Sequence, residues 1–218
     1  NKKQIEITDN KKELLVKLIK NIKKDYGCVN QVCWLNLDIV KNINNVDINN
    51  NTFRPNGPMK KYDWLSTSDI DNVVKQYESI HKNFKYLGTV PYDFELLPIL
   101  GISNINFTNL IDNGYHKVGM VINLDNHDQR GSHWVALYAN LRKRQIYFFD
   151  SFGKIPRRRI KIFITKIVKF LYTSIYKRSL NIKYFFDNDN EIEPHLRDEL
   201  SNLDVRYNKI QHQFSNSE

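Results

Sequence analysis

The sequence predicts an α+β fold, and three observations carry that prediction. Apolar, aromatic or β-branched runs at 117–124, 133–138 and 145–150 read as strands. Residues 11–24 and 161–176 place apolar side chains at helical spacing. The two kinds of element do not alternate regularly, as a parallel β-α repeat would require.

Taken in order, Leu14, Leu15, Leu18, Ile19 and Ile22 form the apolar stripe of a first helix whose other face is rich in lysine. Cys28 to Leu35 opens another helical turn, and Asn42 to Asn51 is an asparagine-rich loop. Pro55-Asn56-Gly57-Pro58 is turn chemistry and marks a boundary, giving a helical arm over residues 1–60 and a core over 61–218. Ser66-Thr67-Ser68-Asp69 is a capping signal ahead of Ile70, Val73, Val74 and Tyr77, so a helix runs from there to about Asn83. Tyr86 to Pro91 leads into a helical stretch from Phe94 to Leu100, and a further one lies around Phe107 to Asn113.

Lys117 to Leu124 is a strand and Asp125 to Arg130 a polar loop. His133 to Tyr138 and Gln145 to Asp150 follow as strands joined by the short polar connection Asn140-Leu141-Arg142-Lys143-Arg144, which reads as a β-hairpin. Lys161 to Tyr176, with Ile162, Phe163, Ile167, Val168, Leu171 and Ile175, is a long helix packed on the sheet. Asp187 to Ser201 is acidic and polar, a surface excursion, and Asp204 to Gln211 alternates as a final strand.

At 218 residues and 41% hydrophobic, the chain can bury one sizeable core with a smaller attached unit. No apolar run approaches the roughly 20 residues of a membrane helix, and Asn1-Lys2-Lys3-Gln4-Ile5-Glu6 has no signal-peptide stretch, so the expectation is a soluble, intracellular protein. Cys28 and Cys33 are too few for a disulfide framework, and a Cys-x4-Cys pair without further ligands is a poor zinc site. With 33 Lys and Arg against 24 Asp and Glu, a net charge of +9 permits nucleic acid or an acidic surface as partner. Asn, Lys and Ile are all plentiful, however, and nucleotide bias in the source genome accounts for such a composition equally well.

The hairpin holds the candidate chemistry. With the turn centred near Arg142, His133 falls almost opposite Asp150 or Ser151, where a carboxylate can orient an imidazole. A histidine before a tryptophan on a strand is more often structural, Asp150 suits a turn, and a glutamine such as Gln213 at a strand end is usually a surface amide. Trp64 and Trp134 are more often core than ligand-binding aromatics. His81, His116, His127, His195 and His212 sit in polar settings, and His127, between Asp125 and Asp128, is the one rival base.

Read together, the motifs resemble a known family. Ile122-Asn123-Leu124, Ser132 to Leu137, Tyr147 to Gly153, Val205-Arg206-Tyr207 and Gln211 to Glu218 occur in the order of the ubiquitin-like-protein (SUMO) protease superfamily. That superfamily includes the adenovirus endopeptidase and the polyprotein proteases of large DNA viruses. Trp64-Leu65-Ser66-Thr67-Ser68-Asp69-Ile70 is similar to the Trp-Leu-x-Asp helix of the SUMO proteases, so the resemblance covers about residues 62–218. Gly27-Cys28 and Cys33 ahead of Phe53 to Pro58 resemble the N-terminal arm of the proteases of African swine fever virus and giant DNA viruses.

The resemblance implies a papain-like-clan cysteine protease core, a central mixed sheet flanked by helices, with no cofactor. It implies a peptidase cutting after Gly-Gly in viral structural polyproteins during virion maturation, or deconjugating a ubiquitin-like protein, in the host cytoplasm and the virion. His133 would be the general base, Asp150 would fix its tautomer, and Gln213 would donate its amide to the oxyanion. Trp64 and Trp134 would wall a tunnel too narrow for any side chain larger than hydrogen. In the family, the acidic residue matching Glu218 is followed by Cys-Gly; the 218 residues stop before that nucleophile, so the expectation is an inert, incomplete protease. Two other readings are an inactive pseudoprotease that binds a Gly-Gly tail or a ubiquitin-like partner, and a nucleic-acid-binding protein using the basic stretch around Arg157 to Arg159.

Overall fold

A computed structural model describes residues 10–28, 33–34, 37–43, 53, 55–57, 64–186 and 194–214, and the chain divides into two units, Asn1–Arg54 and Pro55–Glu218. In the first unit, α1 (Lys11–Tyr26) forms where the apolar stripe predicts it. The Asn10 side chain accepts from the Lys12 and Glu13 amides, and Gly27 closes the helix in the left-handed conformation. Cys28 and Cys33 are joined by a disulfide, and the Trp34 indole donates to the Cys28 carbonyl at 3.5 Å. Cys33 and Trp34 are helical, while the rest of the turn predicted after Cys28 and residues 44–51 of the predicted loop lie outside the described residues. A single helical turn, α2 (Asp38–Lys41), follows.

The second unit is built on a five-stranded mixed sheet in the order β1-β2-β3-β4-β5, where β1 is Phe84–Val90, β2 Lys117–Asn123, β3 Trp134–Asn140, β4 Gln145–Phe149 and β5 Asp204–Tyr207. The central pairs are antiparallel and the two outer pairs parallel. This is the predicted α+β class, with helices between and around the strands. Period-two burial follows directly from the sequence: Val118, Met120 and Ile122 of β2, Val135, Leu137 and Ala139 of β3, and Ile146 and Phe148 of β4 all enter the core. Covering them is α5 (Arg158–Tyr176), whose Ile160, Phe163, Ile164, Ile167, Val168 and Leu171 form one buried face. Phe163 is its centre, edge-on to Phe94 at 5.6 Å between ring centroids and tilted against Phe107 at 6.4 Å.

Helix α3 (Thr67–Ile80) begins at the predicted capping box, with Ser66 and Asp69 satisfying each other's backbone amides. It lies along β1, an edge strand of the sheet. Its Glu78 and Asp71 carboxylates accept from the Tyr86 and Thr89 amides at 3.3 and 3.0 Å, so the helix satisfies donors that an edge would leave unpaired. It stops at Ile80 rather than Asn83, because the His81 amide closes on Tyr77 and Phe84 already belongs to β1.

Other boundaries also differ from expectation. The stretch from Phe94 to Leu100 is two 3₁₀ turns, Phe94–Leu96 and Pro98–Leu100, since Leu97 before a proline is held extended. Residues 107–112 form α4 (Phe107–Asp112), as predicted. Helix α5 starts three residues early, at Arg158. Part of the expected surface excursion is α6 (Pro194–Leu200), which buries Leu200 and is tied to α5 by bonds from Tyr172 and Tyr176 to Glu199. The final strand is only four residues long, and its role beyond Tyr207 passes to a side chain described below.

Replacing Phe163 with alanine should destabilise the second unit by about 3–5 kcal/mol through lost burial and a residual cavity, read as a fall in urea midpoint. A loss below about 1 kcal/mol would place the core elsewhere.

Candidate active site

The hairpin register determines what meets at the open ends of β3 and β4. Asn140 pairs with Gln145 and Ala136 with Phe149; continued in step, Val135 lies across from Asp150 and His133 across from Phe152. His133 is therefore diagonal to Asp150 rather than almost opposite it, because the connection takes four residues, Leu141 to Arg144. A diagonal pair is still within reach of two extended side chains. His133 Nε2 lies 2.7 Å from Asp150 Oδ1, and both side chains are nearly buried, 12% and 3% exposed. The Phe152 ring packs on the imidazole at 4.5 Å between centroids.

Each partner is fixed by its own strand end. The Leu124 amide, just past β2, donates to the His133 carbonyl at 2.9 Å. The Arg157 guanidinium in turn holds the Leu124 carbonyl at 3.0 Å. The buried Asn123 accepts from the Ser132 amide at 3.3 Å. Gly131 makes the turn at φ +87°, where an added Cβ would also stand 2.9 Å from the Asn123 amide nitrogen. On the other strand, Asp150 Oδ1 also accepts from the Phe152 amide at 2.9 Å, and Gly153 turns the chain at φ +69° against the backbone of residues 209 and 210.

Asn208 contributes what the sequence reading missed. Its Oδ1 accepts from the Asp150 amide at 2.8 Å and its Nδ2 donates to the Asp150 carbonyl at 2.7 Å. One side-chain amide thus acts as the next residue of β5, continuing the ladder at the carboxylate. Nothing in its sequence setting marks it, since an asparagine inside an alternating stretch reads as an ordinary strand residue.

Gln213 reaches the same place. Its amide and that of His212 donate to the Ser151 carbonyl, and the Ser151 hydroxyl donates to Gln213 Oε1 at 2.6 Å. With its oxygen turned to Ser151, the carboxamide carries its NH₂ on the opposite side. The Trp134 indole donates to the Leu65 carbonyl at 3.1 Å, which brings β3 to the segment carrying Trp64. Trp64 itself is 69% exposed. His133 and Asp150 are therefore in contact, Gln213 reaches Ser151, the residue after Asp150, and the Trp134 indole meets Leu65, the residue after Trp64.

With Nε2–H donated to the carboxylate, the second ring nitrogen, Nδ1, carries the lone pair and is the one available to take a proton. The roles of the two nitrogens are reversed from those of the serine-protease triad, while the chemistry of a carboxylate-held base is the same.

His127, the rival, also has a carboxylate, but a different one from those expected. Its backbone amide and Nδ1 both bind the buried Asp93, at 2.9 and 2.6 Å, while its side chain is 57% exposed. That clamp pins the 125–130 loop to the turn after β1. Among the described residues no group of three or more His, Cys, Asp or Glu could hold a metal, and no helix is long and apolar enough to cross a membrane.

A largely enclosed imidazole held by a buried carboxylate at the end of an antiparallel hairpin, in an α+β fold, is an arrangement able to activate a nucleophile. Residues 115–193 match the model of the Ulp1 protease family, C-terminal catalytic domain. The match includes His133 and Asp150 but not Trp64 or Gln213. The chain is also 39% identical over 132 residues to a protein of Acanthamoeba polyphaga mimivirus described as a candidate thiol protease. That match takes in 61% of this chain and spans 42% of the mimivirus protein. Among solved structures, the African swine fever virus protease is similar at 20% identity, covering 80% of this chain and 70% of that one, with a TM-score of 0.47. The SUMO protease Ulp1 with its cysteine oxidised to a sulfinic acid is similar at 17% identity, covering 70% and 59%, with a TM-score of 0.40.

The second pair makes a pH prediction. The hydrogen bond to Asp93 raises the His127 pKa despite partial desolvation. Burial alone would raise the Asp93 carboxyl, but the bonds from the His127 ring and amide outweigh it and lower it. Stabilisation from His127 is complete below the free-imidazole value of about 6.5 and is lost as pH rises through its higher folded value. Stabilisation from Asp93 is complete above about 4 and is lost as pH falls through its lowered value. The melting temperature lost in His127→Ala should therefore be greatest between about pH 4 and 6.5 and shrink toward pH 9. A loss constant from pH 5 to 9 would contradict the clamp.

Proposed function

We propose that this chain belongs to a cysteine endopeptidase that cuts after Gly-Gly. The observation that carries the reading is the hydrogen bond between the largely enclosed His133 and the buried Asp150. In the proposed reaction, His133 Nδ1 takes the proton of a cysteine thiol, and the thiolate attacks the carbonyl carbon of the scissile bond. The imidazolium, stabilised by Asp150, then returns the proton to the leaving amine. Gln213 donates its NH₂ to the oxyanion formed on attack.

The thiol cannot come from Cys28 or Cys33 while these are joined to each other. The family resemblance implies a cysteine nucleophile directly after the acidic residue that Glu218 matches. Trp134 and Trp64 are assigned to the substrate channel, the former held in place through Leu65. The proposed substrates are viral structural polyproteins cut during virion maturation in the host cytoplasm and the virion, or a ubiquitin-like protein. The likeness to a mimivirus protein described as a candidate thiol protease supports the viral setting.

The test uses the chain extended through the codons that follow Glu218 and a fluorogenic peptide ending in Gly-Gly. Cleavage should be lost in His133→Ala and should fall about 10²–10³-fold in kcat, with little change in KM, in Gln213→Ala. A peptide with alanine in place of the second glycine should resist. Undiminished turnover in His133→Ala would refute the mechanism, and equal cleavage of the alanine peptide would refute the Gly-Gly assignment.

A further inference from the structure

The tight turn that leaves β4 brings one residue back onto both members of the His133–Asp150 pair. Continued in step, the hairpin sets Phe152 across from His133, and side chains so placed are neighbours on one face. The Phe152 ring packs against the imidazole at 4.5 Å between centroids, tilted by 34°. Its backbone amide donates at 2.9 Å to Asp150 Oδ1, the same oxygen that lies 2.7 Å from His133 Nε2. Phe152 therefore touches the imidazole with its ring and bonds the carboxylate with its backbone.

The residue is itself held in place. The Gly153 amide closes the turn on the Asp150 carbonyl at 2.8 Å, and a Cβ on Gly153 would stand 3.0 Å from the backbone of residues 209 and 210. The ring is half-buried, with Lys154 Nζ 5.5 Å from its centroid. Such a wall limits how the imidazole can turn. Rotation about the Cβ–Cγ bond of a histidine has a broad, two-fold profile, and a half turn would carry Nε2 away from Asp150 and bring a ring carbon toward it. Passing between the two orientations swings an edge of the imidazole out of its plane, into space that the phenyl ring fills. The carboxylate favours the observed orientation, and the ring closes the path out of it. By covering one face of the imidazole the ring also keeps water from the Nε2–Oδ1 hydrogen bond, which is stronger where the local dielectric is low.

We propose that Phe152 is a positioning residue for the reaction assigned to His133: its ring keeps the imidazole edge-on to Asp150, so that Nδ1 stays the nitrogen that takes the thiol proton. The proposal rests on the reading of His133 as the general base, and it assigns Phe152 no contact with substrate.

Leucine at position 152 removes the flat face while keeping apolar bulk and the backbone amide, and tyrosine restores the ring, so the two variants isolate it. In the extended chain, Phe152→Leu should lower kcat about 10–100-fold with KM changed less than about twofold, and Phe152→Tyr should stay within about threefold of the unsubstituted kcat. In the 218-residue chain, the two ¹⁵N shifts of the neutral His133 ring should stay well apart in Phe152→Tyr and draw together in Phe152→Leu, as one tautomer gives way to a mixture. A purely structural Phe152 would lower the melting temperature and leave kcat per folded molecule unchanged, and that result would overturn the proposal. So would a rise in KM alone, which marks a substrate contact, an equal loss of kcat in Phe152→Tyr, or ring shifts indifferent to leucine. Turnover surviving in His133→Ala would defeat the reading of the base and this proposal with it. Turnover lost there but unchanged in Phe152→Leu would defeat the proposal alone.

Discussion

β3 and β4 leave the sheet side by side, and the pairing of Ala136 with Phe149 decides which residues meet beyond their ends. Slipping that pairing by one residue would turn Val135, Leu137 and Ala139 away from α5 and bring Ala136 and Tyr138 inward, exchanging a continuous apolar face for a mixed one. The core therefore enforces the register, and the register delivers His133 to Asp150. A bond of 2.7 Å between two side chains is thus held by packing energy many residues away from it.

Local reinforcement completes what the register begins. Asp150 is gripped at both backbone groups by Asn208, His133 at its carbonyl by Leu124, and Gln213 at its oxygen by Ser151. A site held from two strand ends and a following loop is preorganised, because each side chain has little freedom left to lose. Burial separates this pair from the His127–Asp93 pair. His133 is largely withdrawn from water, where its hydrogen bond is electrostatically strong, whereas the exposed His127 serves to fasten a loop.

Elements set by local chemistry were legible in the sequence: the Ser66 capping box, the α1 and α5 stripes, β2 and the hairpin with its histidine and aspartate. What escaped depends on contacts distant along the chain. β1 has a register break between Tyr86 and Thr89 and lies against α3, so its residues show no clean alternation. The acidic character of the 187–201 stretch hid the apolar positions Leu196 and Leu200, which pack on the core. His127 drew notice for its neighbours Asp125 and Asp128, yet its partner is Asp93, 34 residues earlier. Asn208 replaces a strand residue with a side chain, a substitution that no periodicity reveals.

The central claim is that hairpin register and the Asn208 clamp together fix one tautomer of His133. Long-range ¹H–¹⁵N NMR of the 218-residue chain tests it directly, with the ring signals assigned through His133→Gln. In the neutral form of the ring, reached by raising the pH until its signals no longer change, Nε2 should be protonated and Nδ1 unprotonated, with a mixture of tautomers once Asn208→Ala frees the Asp150 backbone. A proton on Nδ1 of that neutral ring in the unsubstituted chain, or a tautomer indifferent to Asn208, would contradict it.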